Sequence, residues 1–153
     1  MIISASQQIA APREFVFARA VEFERLVRAA EGRGAEVDPP RKEGEALRYG
    51  MRYPFRDELW PVELVLEAMV PPEGLDLRIE GKVAMADATV RFAEAGADTT
   101  AVALRAELKP LGLQGRVLIG SLHVLRSRVQ ERIDRDLAAL ARGAEALWRN
   151  ARV

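Results

Sequence analysis

The sequence predicts an α+β fold: a curved antiparallel sheet of about seven strands, two short helices after the first strand, and a long C-terminal helix across the sheet. Three observations carry this prediction. Residues 47–108 alternate apolar and polar side chains with a period of two. Short turn signals rather than helical crossovers separate these runs, so successive strands pair antiparallel. From Leu118 onward the apolar positions recur at steps of three and four, the period of an amphipathic helix.

The first strand is read from Ile3, Ala5, Gln7 and Ile9 alternating with Ser4, Ser6 and Gln8. Pro12 then suits a first helical position, where its missing N–H has no partner to lose, and Glu14 favours the helix dipole. The helical stretch runs through Phe23, Leu26 and Val27 and stops near Gly32-Arg33-Gly34, as two short helices. Tyr49, Met51, Tyr53 and Phe55 share one strand face, and Asp57 marks a hairpin turn. Pro61 requires the next strand to begin near it or to bulge there. Pro71-Pro72-Glu73-Gly74, Gly81-Lys82 and Gly96-Ala97-Asp98 are turns between the later strands, and Pro110 ends the run.

The final helix raises a question of length. Residues 111–149 as one straight rod would measure roughly 58 Å at about 1.5 Å per residue. A domain of this size is roughly 40 Å across. A bend or irregular start is expected at or before Gly120, with Gly115, Gly120 and Gly143 as weak points.

Bulk properties exclude several function classes. Lys plus Arg number 23 and so do Asp plus Glu, so no global field exists to hold nucleic acid or an anionic membrane. The absence of cysteine excludes disulfides, thiolate catalysis and cysteine-based zinc sites. The N-terminal residues lack the basic and apolar blocks of a signal peptide, and no apolar run approaches the roughly 20 residues of a membrane span. One domain over residues 1–153, located in the cytoplasm, is expected.

Several segments together resemble the helix-grip fold of the START-like, or SRPBCC, superfamily, which includes polyketide cyclase/dehydrase-like proteins, lipid-transfer START domains and the birch pollen allergen. Ile9-Ala10-Ala11-Pro12-Arg13-Glu14-Phe15-Val16-Phe17 is similar to the family's entry motif. Gly44-Glu45-Ala46-Leu47-Arg48-Tyr49 resembles its glycine-plus-aromatic third-strand start, and Ala97-Asp98-Thr99-Thr100-Ala101-Val102 its turn into the last strand. Leu111-Gly112-Leu113-Gln114-Gly115-Arg116 resembles the small-residue entry to the last helix. The resemblance implies a cavity between sheet and C-terminal helix for an apolar or amphipathic small molecule: a lipid, a polyketide-like compound or an aromatic. It implies no common reaction and no cofactor. Three functions are open on this basis: a carrier of such a molecule, a cyclase/dehydrase-type enzyme acting on it, or an interaction module whose cavity is filled by side chains.

The candidate cavity residues are Tyr49, Met51, Tyr53, Trp60, Leu64, Ala84, Ala86, Ala88, Leu122 and Arg126. Buried tyrosine hydroxyls need partners, so Tyr49 and Tyr53 are either rim or core residues or orient a polar ligand group. Ala84, Ala86 and Ala88 either admit close helix packing or leave room as a cavity floor. At about 100° per residue from Leu118, Arg126 and Asp136 fall inside the apolar stripe, and the lone histidine, His123, flanks it. An inward arginine must pair, snorkel or meet an acidic ligand. His123 is a partly buried structural histidine, a surface one, or a proton-handling group. A single histidine without cysteine offers no transition-metal site, and Ser127 has no nucleophile elbow. The other arginines of the last helix interleave with Glu131, Asp134 and Asp136 as a solvated, salt-bridged face rather than a nucleic-acid surface.

Overall fold

A computed structural model describes residues 1–152. The chain runs β1 (Ile2–Ile9), α1 (Arg13–Ala20), α2 (Phe23–Gly32), β2 (Glu36–Val37), β3 (Arg41–Glu43), β4 (Ala46–Phe55), β5 (Glu58–Val70), β6 (Gly74–Gly81), β7 (Ala84–Gly96), β8 (Thr99–Pro110), α3 (Gly112–Val124) and α4 (Arg126–Ala151). The eight strands form one antiparallel sheet in the order β1-β8-β7-β6-β5-β4-β2, with β3 also paired to β4. The sheet exceeds the expected strand number because β2 and β3 are very short. Arg41, Lys42 and Glu43 of β3 are all exposed, so no alternation announces them.

Each long strand follows from its side-chain pattern. Ile3, Ala5 and Ile9 of β1 are buried while Ser4, Ser6 and Gln8 are exposed. Arg56 and Asp57 both take positive φ, 50° and 64°, in the two-residue turn that joins β4 to β5, the backbone handedness that suits a tight hairpin. Pro61 neither starts nor bulges β5. It pairs with Arg52 of β4, and pairing with β6 begins only at Val62, so its missing N–H costs no ladder bond. The register shift in β5 falls instead between Leu66 and Ala68.

The outer face of the sheet is charged. Arg48 contacts Glu43, Glu63 and Glu80, and Asp87 lies between Arg78 and Lys109. The inner face carries the core, where Ile9, Val16, Phe17, Leu66, Leu75, Phe92, Val102, Ala141 and Ala144 pack together. The rings of Phe17 and Phe92 meet edge to face at 5.3 Å.

The C-terminal helix is interrupted, but not where glycine predicts. The helix passes through Gly120 and turns at Leu125, separating α3 from α4. One turn earlier Ser121 Oγ donates to the Val117 carbonyl at 3.1 Å, a contact that competes with the backbone ladder and bends helices. The 26 residues of α4 then span about 39 Å at about 1.5 Å per residue, matching the domain. Gly115 is a point of close approach, not weakness. A Cβ there would collide with the Val83 carbonyl and stand 3.1 Å from Pro110 Cα.

Helix α4 also covers the edge of the sheet. Arg126, Gln130 and Arg142 donate to the carbonyls of Ile2, Ser4 and Gln8, which point outward from edge strand β1. Glu145, only 8% exposed, accepts the Ala10 amide at 2.8 Å. Thr100, fully buried, donates its hydroxyl to the Ala11 carbonyl at 2.7 Å. The turn from β1 into α1 is thus held from both sides.

Candidate functional site

The inner face of the sheet does not pack solidly against the helices. A cavity of about 320 Å³ lies between them. Its floor is Tyr49 and Met51 of β4, Leu64 of β5, Leu75 and Leu77 of β6, Val90 and Phe92 of β7, and Val102 and Leu104 of β8. Its walls are α1, α2 and α4, the last through Leu137, Leu140, Ala141 and Ala144.

Helix α2 explains why the space stays open. Phe23, Leu26, Val27 and Ala30 recur at helical spacing and all line the cavity, yet no residue of α2 is buried. Its apolar stripe faces a void in place of a packing partner. Leu26 and Leu140 line the cavity and remain 42% and 55% exposed, so the opening lies between α2 and α4.

Among the lining residues only Arg19, Arg25 and Tyr49 carry polar side-chain groups. Tyr49 is buried, its ring 6.0 Å from that of Phe23. Burial, reinforced by the Glu24 carboxylate, raises its phenol above the ordinary value, so it stays protonated and can donate a hydrogen bond. Arg19 and Arg25 share one carboxylate, Glu22, at 3.6 Å and 3.5 Å. Two guanidiniums against one carboxylate leave this corner of the cavity positive. Arg25 Nε is buried and has no hydrogen-bond partner, because Glu22 is within ion-pairing range but not in hydrogen-bonding geometry.

Of the residues singled out from the sequence, the structure brings Tyr49, Met51 and Leu64 together in the cavity lining. The others lie elsewhere. Tyr53 and Trp60 pair across the tip of the β4–β5 hairpin, where Trp60 meets Phe55 edge to face at 5.3 Å and donates to Glu58. Ala86 and Ala88 are buried and Ala84 half-buried, but the cavity ends at Leu77 and Val90, the neighbours of Ala88. Leu122 is half-buried on α3, outside the lining. Arg126 is exposed and bound to the Ile2 carbonyl, not directed inward. His123 is exposed near the end of α3, and Asp136 pairs with Arg132 at 3.6 Å. Arg126 opens α4 beside edge strand β1, where its long side chain reaches out to a backbone carbonyl, and Asp136 is half-buried but outside the lining. The angular count from Leu118 still holds along α4, where Val129, Ile133 and Leu137 are half-buried and Ala144 is buried, but the direction of a stripe does not decide which charged side chain meets the cavity. Arg19 and Arg25 went unnoticed because an arginine in a short amphipathic helix carries no signal separating a rim position from an ordinary surface one.

An antiparallel sheet gripped by a long C-terminal helix around an apolar cavity is the START-like helix-grip fold. Solved structures with this fold extend over nearly the whole chain. TTHA0849 from Thermus thermophilus is 22% identical, with a TM-score of 0.64 over 96% of this chain and 99% of that one. The Zhui aromatase/cyclase from Streptomyces sp. R1128 is 13% identical, with a TM-score of 0.69 over 95% and 93%. A START superfamily protein from Mycobacterium smegmatis is 12% identical, with a TM-score of 0.59 over 98% of both chains. No family model and no curated protein matches the sequence. No helix among the described residues is long and apolar enough to cross a membrane.

Proposed function

We propose that this protein binds and carries an amphipathic small molecule, with the apolar body in the sheet–helix cavity and an acidic or strongly polar end at Arg19 and Arg25. The observation that carries this reading is the apolar stripe of α2 turned toward an open cavity. Leaving that stripe without a partner forfeits burial worth roughly 25 cal/mol per Å², which an apolar ligand restores. The volume of about 320 Å³ lies at the lower end of small-molecule sites. Tyr49, Met51 and Leu64 contact the ligand body in this reading.

The enzyme alternative draws support from the aromatase/cyclase neighbour and from Tyr49, whose phenol could orient a carbonyl. The lining contains no carboxylate or imidazole to accept a proton, which favours binding without chemistry. An interaction module with a filled cavity fits less well with the open volume.

Native mass spectrometry of the purified protein, before and after denaturing extraction, tests the carrier reading. A co-purifying amphipathic acid, or a thermal shift with medium-chain carboxylates, is the expected result. No adduct and no shift across a library of apolar acids, alcohols and aromatics would sink it.

A further inference from the structure

Helix α3 is apolar on the side away from the protein. Gly115 and Ile119 face inward and are buried. On the opposite side, at helical spacing, stand Leu113, Val117 and Val124, exposed by 77%, 64% and 85%, with Gly120 between them. Leu111 and Leu125, exposed by 43% and 44%, extend the strip at both ends. A helix in contact with water normally turns polar residues outward, and one that is apolar all round is normally buried. Here the outer half has nothing over it.

Charge indicates what covers it. Residues 111–130 contain no aspartate or glutamate, although the whole chain is neutral. Arg116, Arg126 and Arg128 lie in this segment, all exposed, and no ion pair engages them among the described residues. The segment is therefore a local cationic patch framing an apolar strip. A second copy of the chain is a poor occupant. A two-fold contact through this face would set the same arginines against one another with no carboxylate in the segment. The strip is also about 20 Å long and about 10 Å wide, far below the roughly 800 Å² per partner of a stable dimer. A surface that is negative and admits apolar side chains to shallow depth satisfies both features.

We propose that the outer face of α3 docks this protein reversibly on an anionic lipid surface, with Leu113, Val117 and Val124 entering the acyl boundary and Arg116 and Arg128 at the headgroups. The proposal is independent of the carrier reading. Leu125 is about 22 Å along α4 from Leu140 at the cavity opening, so variants in this face leave the cavity untouched.

The test is co-sedimentation with phosphatidylcholine vesicles, with and without phosphatidylglycerol, at low and high salt. Binding to the anionic vesicles is expected, weaker by about tenfold on phosphatidylcholine alone and weakened by salt. V117E/V124E should abolish it, and R116Q/R128Q should reduce it about tenfold, with unchanged circular dichroism because all four side chains are exposed. Equal binding to both vesicle types, or none to either, overturns the proposal. So does concentration-dependent self-association that V117E/V124E removes, which would assign the face to a second copy.

Discussion

At the scale of single residues, the unpartnered Nε of Arg25 is the most consequential group in the molecule. Buried guanidinium nitrogens are normally hydrogen-bonded, and leaving one unmet is costly. Arg25 Nε has almost no accessible surface, so an acidic ligand end would meet the terminal nitrogens of the side chain, which is 31% exposed. Replacing Arg25 by Gln should weaken binding of a medium-chain carboxylate about tenfold while leaving the matching alcohol unchanged, measured by thermal shift or calorimetry. Equal losses for both ligands would show that Arg25 acts only through packing. Gly115 makes a different point. Its side-chain space is already occupied by the Val83 carbonyl and Pro110 backbone, which cannot swing aside as a flexible side chain does. Gly115→Ala should therefore cost about 2 kcal/mol in urea unfolding, despite alanine's better helix propensity.

Among the elements, α4 does two things at once. Its inner side walls the cavity with Leu137, Leu140, Ala141 and Ala144, and its polar side chains cap the outward carbonyls of β1. An uncovered edge strand is a template for pairing with another chain. The combined variant R126A/Q130A/R142A should lose under about 1 kcal/mol, because exposed side-chain contacts are individually weak. It should nevertheless show faster amide exchange in β1 and greater aggregation at high concentration. Unchanged exchange in Ile3, Ala5 and Gln7, whose amides pair with β8, would show that the strand needs no such cover. Helix α2 is the opposite case, an element held by little. It has no buried residue, and ligand binding should protect its amides more than those of α1.

Across the molecule as a whole, the charged outer face of the sheet sets the acid response. Lys109 and Arg78 hold the Asp87 carboxyl below the ordinary carboxylate range, and Arg52, then Arg41, does the same for Asp38. A carboxylate whose folded-state value is depressed stabilises the fold above its unfolded value and loses that contribution as pH falls through the folded one. Stability should therefore fall below about pH 4. Asp87→Asn should lower the urea midpoint slightly at neutral pH and converge with the parent once the pH is low enough to protonate Asp87 in the folded protein. A difference that stays constant from neutral to acid pH would mean that the pair contributes through shape rather than charge. The likeness to structures only 13% and 22% identical belongs to this scale too. What is shared at that distance is the pattern of inward and outward side chains, which many residue sets satisfy.

Local signals in the chain were enough to specify the architecture: period-two alternation from Leu47 to Leu108, turns at Asp57, Gly81-Lys82 and Gly96, and steps of three and four after Leu118. Each is read from a residue and its near neighbours, and together they also placed Tyr49, Met51 and Leu64 on the inner face. Where that face stays open is a property of the tertiary packing alone. The cavity reaches Val90 and Phe92 but not the row from Ala84 to Ala88, and its charged corner comes from Arg19 and Arg25 rather than Arg126. Those outcomes depend on how α2 and α4 sit over the sheet and on Arg126 reaching the β1 edge at the start of α4. Periodicity says which side of an element is apolar. It does not say whether another element fills the space opposite, because that depends on contacts between residues far apart in the chain.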